Sequence, residues 1–146
     1  MKPYKHKVQY YETDQMGIVH HSNYIRWFEE ARIDLLEQMG LGYDQLENRG
    51  VMSPVLGVEA DYLRMVRFGG TVTIETFIKE YNGIKLEIAY RVIDDKTEMV
   101  HCRGLTKHCF LNQKGRPVSL KKDYKDIHEI FMNIFRKDAD TISDKS

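Results

Sequence analysis

Residues 23–39, NYIRWFEEARIDLLEQM, carry the amphipathic pattern on which the fold depends. Their apolar side chains recur with a period near 3.6, which predicts a helix with one wide buried face. Ser22 or Asn23 can cap the start of this helix, and Gly40 follows its end in the position that glycine favours. The predicted buried face consists of Tyr24, Ile25, Phe28, Ala31, Leu35, Leu36 and Met39.

The chain after residue 50 changes to a period of two, which is typical of half-buried strands. Four such segments follow one another, at residues 55–62, 72–79, 86–92 and 99–111. Turn residues, Asn82-Gly83 and Asp94-Asp95-Lys96, favour an antiparallel meander. One face of that sheet needs an apolar cover, and the 23–39 helix supplies it. The pattern predicts an α+β fold in which a curved antiparallel sheet wraps around one long central helix.

The two ends of the chain complete this outline. We expect a short strand at Lys5–Tyr11, a short polar helix at residues 43–48 and a last helix at residues 122–136. No repeat, low-complexity block or linker interrupts residues 1–136, so these form a single predicted domain. Residues 137–146 are expected to be a polar C-terminal tail that is frayed.

The charge balance and the apolar content exclude several classes of protein. The 146 residues contain 22 Lys and Arg against 22 Asp and Glu, so no excess charge favours nucleic acid or an anionic membrane. No apolar run approaches the ~20 residues of a transmembrane helix, and the N-terminal MKPYKHKVQ lacks the apolar core of a signal peptide. Two cysteines in such a chain are expected to be reduced thiols. We therefore expect a cytoplasmic protein.

Two His-Cys pairs, at residues 101–102 and 108–109, are candidate metal ligands because zinc binds both side chains. Both lie in one predicted strand, separated by about 23 Å at ~3.3 Å per residue. One ion cannot bind both pairs, and the same distance excludes a disulfide between Cys102 and Cys109. We expect no metal site. The sequence also lacks the G-x-S-x-G motif of serine hydrolases and the lysine of a phosphate-binding loop.

The stretch YYETDQMGIVHHSNY, residues 10–24, concentrates titratable side chains directly before the central helix. A carboxylate such as Asp14 can serve as a general base or a nucleophile if the site shields it from water. The first turn of the helix has unpaired N–H groups that can hold a developing oxyanion. The alternative is a turn in which Asp14 accepts hydrogen bonds from nearby backbone N–H groups. The residues alone leave both interpretations open.

The longer stretch YYETDQMGIVHHSNYIRWFEEAR resembles the motif of hotdog-fold acyl-CoA thioesterases, in the group of 4-hydroxybenzoyl-CoA and Tol-Pal-associated (YbgC-like) thioesterases. VEADYLRMVRFGGTVTIET and TKHCFLNQKGRPV resemble two further blocks of that family. The resemblance covers roughly residues 4–120. It implies the hotdog fold for the predicted domain, in which an antiparallel sheet wraps a long helix, and this agrees with the periodic pattern.

Position by position, the resemblance implies that Asp14 is the catalytic carboxylate. Tyr10 and His21 fall where the family has a tyrosine and a histidine near the site, and Gly17 allows a tight loop. The backbone N–H near His21 is implied to polarise the thioester carbonyl. His20 stands where some members have an aromatic residue, so its role and the shape of the acyl pocket remain open.

The implied function is hydrolysis of an acyl-CoA thioester to a free acid and coenzyme A. No separate cofactor is expected, since coenzyme A is part of the substrate. Arg64, Arg67 and Lys107 are candidate contacts for its phosphates, with scattered surface charge as the alternative. A non-catalytic module that binds acyl-CoA or acyl-carrier protein on the same fold is the other candidate function. The family's interfacial sites imply a homodimer or homotetramer, which an uncovered sheet edge would also favour.

Overall fold

The computed structural model describes residues 1–145, with side chains described through Thr141. Its elements, in chain order, are strand β1 (Tyr4–Lys7), a 3₁₀ turn (Tyr10–Glu12), helices α1 (Ser22–Gln38) and α2 (Tyr43–Asn48), strands β2 (Val55–Tyr62), β3 (Thr71–Tyr81), β4 (Lys85–Asp94) and β5 (Val100–Cys109), and helices α3 (Leu120–Asp123) and α4 (Lys125–Lys145). The predicted long helix, short helix and four strands are present, with ends that shift by one or two residues.

The five strands form one antiparallel sheet in the order β1-β3-β4-β5-β2. The predicted turn between β3 and β4 is confirmed, since Asn82 Oδ1 accepts hydrogen bonds from the N–H groups of Ile84 and Lys85. Gly83 follows with a φ of +90°, a conformation that glycine adopts without strain. The predicted four-strand meander is wrong for β2, which pairs with β5 rather than with β3.

The connection between β2 and β3 explains this correction. Residues 63–70 are too many for a tight hairpin, and they contact the loop that precedes α1 instead. Val19 N donates to Val66 O at 2.8 Å, and Phe68 N donates to Gly17 O at 2.9 Å. The chain passes this loop before it forms β3, so β2 lies at the opposite edge of the sheet from β1.

Helix α1 packs on the sheet through its apolar face, as predicted. The Phe28 ring is fully buried and stacks on Tyr90 of β4, with centroids 4.6 Å apart. Gly104 of β5 makes room for this ring, since a Cβ at that position would lie 2.3 Å from Phe28 Cζ. Two positions correct the predicted face. Ile25 is exposed, whereas Trp27 is fully buried because its indole N–H donates to a buried carboxylate.

The first strand is shorter than predicted. It ends at Lys7, and the chain makes a 3₁₀ turn where the strand was expected to continue to Tyr11. The side chain of Glu12 explains this turn, because its Oε1 accepts a hydrogen bond from Gln9 N at 2.7 Å. That bond folds residues 9–12 back on themselves, which an extended strand does not allow.

Helix α4 continues through the segment predicted as a polar tail. It begins at Lys125 rather than at Lys122 and remains helical to Lys145. Asp138 fixes its second half to the sheet, since Oδ2 accepts a hydrogen bond from Ile78 N at 2.9 Å beside a bulge in β3. Residues 137–145 are thus helical where a polar tail was expected, while the fraying of this end and the domain boundary after residue 136 stay predictions.

Strand β2 forms an open edge of the sheet. It pairs with β5 on one side, and no other strand of residues 1–145 pairs with it. The buried alternation predicted for this strand is wrong, because four of its large side chains are exposed: Val55, Leu56, Val58 and Tyr62. An edge of this kind can pair with a second copy, although the oligomeric state stays a prediction. No helix in the described chain has the length and apolar character that spanning a membrane requires.

Candidate active site

The candidate catalytic carboxylate lies in a short two-sided loop, residues 12–20, which we call the Asp14 loop. Asp14 N donates to Ile18 O at 2.8 Å and joins the two sides. The chain reverses through Gly17, whose φ of +72° is the conformation that a tight loop requires of glycine. The loop thereby carries the chain from the 3₁₀ turn back to the start of α1.

The Asp14 side chain is exposed and is held by the loop's own backbone. Its Oδ1 accepts hydrogen bonds from Met16 N at 2.8 Å and from Ile18 N at 3.2 Å. These are the contacts of the turn that the sequence allowed as an alternative. Among residues 1–145 no hydrogen bond uses the second oxygen, Oδ2. The turn therefore fixes the carboxylate and still leaves one oxygen for water or substrate.

The start of α1 has one free backbone donor. His21 occupies the N-cap position, and its side chain makes no capping hydrogen bond. Ser22 N donates to His20 Nδ1 at 3.3 Å, and Asn23 N donates to His20 O at 3.0 Å. Within the described residues the His21 N–H has no hydrogen-bond partner. This donor lies at the positive end of the α1 dipole, where an anion is stabilised.

The capping of α1 differs from the prediction. Neither Ser22 nor Asn23 provides the N-cap, because the helix begins at Ser22 and the imidazole of His20 binds the Ser22 N–H. The residue whose role the sequence left open thus holds the first turn of the helix.

Aromatic side chains border this end of α1. The Tyr62 hydroxyl donates to His21 O at 3.4 Å, and the two rings have centroids 6.2 Å apart. Tyr10 is 73% exposed and meets the edge of Phe68 at 5.7 Å. The predicted residues Tyr10, Asp14, Gly17 and His21 therefore share one continuous segment. Tyr62 adds a neighbour that the sequence reasoning missed.

Cysteine chemistry is not available at this site. Cys102 lies one strand from Tyr62, opposite it in the register of β2 and β5. Burial, with a smaller contribution from the charge of Asp61, raises the pKa of the Cys102 thiol to about 12. A thiol is a poor nucleophile until it is ionised. Among the described residues no group of three or more His, Cys, Asp or Glu side chains is placed to hold a metal ion.

The three candidate phosphate contacts are separated. Arg64 and Arg67 lie in the exposed connection between β2 and β3, and Arg67 forms a backbone bridge with Ile18 of the Asp14 loop. Lys107 lies on β5, five residues beyond Cys102, or roughly 17 Å along the strand. Its ammonium group pairs with Glu59 at 3.5 Å. The chain therefore places Arg67 beside the candidate site and Lys107 away from it.

One carboxylate that the sequence reasoning left without a role is Glu12. It is 5% exposed, although it lies two residues before the exposed Asp14. Its Oε2 accepts a hydrogen bond from Trp27 Nε1 at 2.6 Å. The available signal was the pairing of the chain's single tryptophan with a nearby acidic residue, since a buried indole N–H requires an acceptor.

The sequence matches one protein family and several named relatives. The family model described as "Thioesterase-like superfamily" matches residues 8–131. A relative from Bacillus subtilis (strain 168), named "Putative acyl-CoA thioesterase YneP", is 33% identical over 126 residues, which are 86% of this chain and 91% of that protein. The acyl-CoA thioester hydrolase YbgC of Escherichia coli O157:H7 is 24% identical over 116 residues, 80% of this chain and 87% of that protein.

Solved structures agree with the sequence relatives. A DHNA-CoA thioesterase from Staphylococcus aureus superposes with a TM-score of 0.84 at 26% sequence identity. The superposition covers 91% of this chain and 89% of that one. The predicted hotdog fold, with its curved sheet around a central helix, is thereby confirmed.

Proposed function

Because the chain belongs to the Thioesterase-like superfamily, we propose that it is an acyl-CoA thioesterase in which Asp14 and the start of α1 carry out hydrolysis. The substrate is an acyl-CoA thioester, and the products are a free acid and coenzyme A. Coenzyme A enters as part of the substrate, so the proposal includes no separate cofactor. Metal chemistry has no part in it.

One observation carries the proposal: within residues 1–145 the Asp14 loop holds a carboxylate with one oxygen free of hydrogen bonds, and a free backbone N–H, that of His21, directly follows the loop. The His21 N–H has no partner within the described residues, and Asp14 uses only Oδ1 in its hydrogen bonds there. A thioester carbonyl that accepts from the His21 N–H would gain negative charge on its oxygen next to the helix dipole. Its carbon would then be open to attack from the side of Asp14.

Two routes are compatible with this arrangement. In the first, Asp14 takes a proton from water, the water oxygen bonds to the carbonyl carbon, and the C–S bond breaks to release the coenzyme A thiolate. In the second, an Asp14 oxygen itself bonds to that carbon and displaces the thiolate. Water then hydrolyses the resulting anhydride. In both routes the thiolate takes up a proton after it leaves.

The surroundings support binding of a charged coenzyme. Arg67 lies beside the Asp14 loop and Arg64 three residues earlier, so their guanidinium groups can reach phosphates of a bound coenzyme A. Lys107 is remote from the Asp14 loop of its own chain. It can contact the coenzyme A phosphates only in an oligomer that brings it to the Asp14 loop of a second copy. A homodimer or homotetramer built through the open edge of β2 would also cover the exposed Asp14. We place the protein in the cytoplasm.

The competing function is a module that binds acyl-CoA or acyl-carrier protein without turnover. The test is release of free thiol by the wild-type protein over a panel of aliphatic and aromatic acyl-CoA esters and an acyl-carrier-protein thioester. We expect turnover of at least one acyl-CoA, and the panel then gives the acyl chain that the enzyme prefers. Binding of these ligands without thiol release from any of them would favour the module and contradict the proposal.

A further inference from the structure

Glu12 is a buried carboxylate on the inner side of the Asp14 loop. Its Oε1 accepts a hydrogen bond from Gln9 N at 2.7 Å and lies 2.8 Å from His6 Nε2. Its Oε2 accepts the hydrogen bond from Trp27 Nε1 at 2.6 Å. The side chain thus links β1, the 3₁₀ turn and the first turns of α1. Both carboxylate oxygens are satisfied, as a buried charge requires.

The backbone carbonyl of Glu12 makes a second set of contacts. It accepts hydrogen bonds from His20 N at 2.9 Å and from Asn23 Nδ2 at 2.8 Å. The first of these donors directly precedes His21, and the second belongs to the opening turn of α1. One residue therefore fixes both ends of the Asp14 loop, the end that carries the Asp14 carboxylate and the end that leads to the free His21 N–H.

The electrostatics keep Glu12 ionised. Burial favours the neutral acid and raises its pKa, but hydrogen bonds from Gln9, His6 and Trp27 outweigh that effect and bring the pKa below its ordinary value. The remaining ring nitrogen of His6, Nδ1, lies 3.4 Å from Glu30 Oε2. The Glu12 carboxylate is thus a permanent acceptor at working pH, with no proton to give and no exposed face to offer a substrate.

We propose that Glu12 is a positioning residue for hydrolysis, holding Asp14 and the His21 N–H at a fixed separation through its side-chain and backbone hydrogen bonds. This rests on the proposed function of Asp14. Its five donors all come from residues 6–27, which surround the loop. Misplacing a catalytic group by about 1 Å can cost roughly 100-fold in rate. Loss of the Glu12 contacts should therefore slow the reaction without removing the binding surface.

The decisive variant is Glu12→Gln, which keeps the shape of the side chain. Its amide oxygen can still accept from Gln9 and His6, and this turns the amide NH₂ toward the Trp27 N–H, where two donors oppose each other. We expect kcat to fall about 10- to 100-fold, with KM within about threefold of wild type. Rates are measured well below the melting temperature of each variant, so that loss of stability alone leaves kcat unchanged.

Glu30→Gln is the matched control. Glu30 belongs to the same network through His6 Nδ1 and the Tyr4 hydroxyl, which donates to it at 3.1 Å. It makes none of the hydrogen bonds that hold the Asp14 loop. This variant loses one acidic partner from the network, as Glu12→Gln does, and we expect it to keep kcat within about twofold of wild type.

A rescue variant separates positioning from general damage. Adding Trp27→Phe to Glu12→Gln removes the opposing N–H and keeps an aromatic ring, so we expect part of the lost kcat to return. Since Trp27 is the only tryptophan, its single indole N–H resonance reports the contact directly. We expect that resonance to move upfield in Glu12→Gln. If Glu12→Gln does not fold, Trp27→Phe alone is measured, with a several-fold fall in kcat at unchanged KM as the expected result.

The outcomes distinguish this inference from the proposed function. An active wild type, an inactive Asp14→Asn and a Glu12→Gln enzyme with the same kcat as Glu30→Gln would overturn the positioning role alone. The positioning role is also overturned if Trp27→Phe, measured in place of an unfolded Glu12→Gln, keeps wild-type kcat. A wild type without turnover on any thioester overturns both. A selective fall in kcat for Glu12→Gln, partly restored by Trp27→Phe, supports the positioning role.

Discussion

The middle and the start of α1 have opposite characters. In the middle, Phe28 and Leu35 are buried against the sheet, and Phe28 stacks on Tyr90 above the space that Gly104 leaves. At the start, His21 is exposed, its N–H is free within the described chain, and the adjoining loop presents Asp14 to solvent. The packed part contributes stability, whereas the start, with its one N–H that is unsatisfied among the described residues, is the part that can bind a reacting oxygen.

This comparison predicts two separable kinds of variant. Substitutions in the middle of α1 and the strands beneath it should lower the free energy of unfolding and leave the turnover of folded enzyme unchanged. Substitutions of the exposed side chains at the start of α1 and in the Asp14 loop, His21 and Asp14, should lower turnover and leave the melting temperature nearly unchanged. Among substitutions that retain Asp14, the effects below run from the largest to the smallest.

Gly104→Ala should destabilise the fold most. The new Cβ would lie 2.3 Å from Phe28 Cζ, and the ring cannot retreat because it stacks on Tyr90. We expect a loss of about 3 kcal/mol in the free energy of unfolding, measured by denaturant titration. Gly57→Ala is the matched control, since its nearest contact is the flexible Lys107 side chain at 3.8 Å. Equal stability of the two variants would contradict the close packing of the Phe28 ring.

His108 should make the packed region sensitive to acid. It is 1% exposed, and burial, together with the charge of Arg32, lowers its pKa from 6.5 to about 4. Protonation of His108 is therefore less favourable in the folded state than in the unfolded state. Stability is fully present above pH 6.5 and falls as the pH drops toward 4. Between pH 7 and pH 5 we expect a loss of about 2 kcal/mol from this group.

The measurement is the free energy of unfolding of wild type and His108→Gln as a function of pH. The variant has no titrating group at this position, so its stability should change less over the same interval, whatever its absolute value. Parallel curves for the two proteins would show that His108 titrates normally in the folded state and would contradict its burial as an uncharged ring.

His21→Ala should act on rate rather than on stability. The substitution removes a side chain that makes no capping hydrogen bond, and it retains the backbone N–H that is proposed to hold the oxyanion. We expect kcat to fall about tenfold, which corresponds to about 1.4 kcal/mol in the barrier, with a melting temperature close to wild type. A fall as deep as that of Asp14→Asn would show that the imidazole itself carries the chemistry.

Chelation should have the smallest effect of all. The two His-Cys pairs have separate surroundings: His101 Nδ1 lies 3.0 Å from Met65 O, and His108 Nε2 lies 2.8 Å from Thr106 Oγ1. We expect thioesterase activity to be unchanged after incubation with a strong chelator. Loss of activity that a divalent ion restores would show that the reaction needs a metal and would contradict the metal-free mechanism proposed for Asp14.

The sequence predicted the parts of the fold that depend on local pattern. The apolar period of α1 and the Asn82-Gly83 turn are local features, and both are confirmed. The placement of β2 beside β5 depends on how residues 63–70 contact a distant loop, which no local period encodes. The helical continuation past residue 136 depends likewise on the contact of Asp138 with β3.

The candidate site likewise has features that the local sequence predicts and features that depend on distant contacts. The motif around Asp14 could place the candidate residues in one segment, because loop glycine and helix start are neighbours in sequence, while their catalytic roles stay predictions. The burial of Glu12 and the capping role of His20 could not be predicted, since each requires donors that the folded chain brings together. Two acidic side chains two residues apart thus have opposite environments, and only the structure assigns them.

The most direct test of the proposed chemistry is the Asp14→Asn variant, compared with wild type for thiol release and for acyl-CoA binding. The amide keeps the shape of the side chain and an oxygen that can accept from Met16 N and Ile18 N, but it can neither take a proton from water nor form an anhydride. Asp126→Asn is the control, because Asp126 is exposed and pairs with Arg49 away from the loop.

For Asp14→Asn we predict a fall in kcat of about 100-fold or more, with acyl-CoA binding retained and the melting temperature close to wild type. Asp126→Asn should keep wild-type turnover. Equal rates of hydrolysis by wild type and Asp14→Asn would contradict the catalytic role, and Asp14 would then be a turn residue before a helix and nothing more.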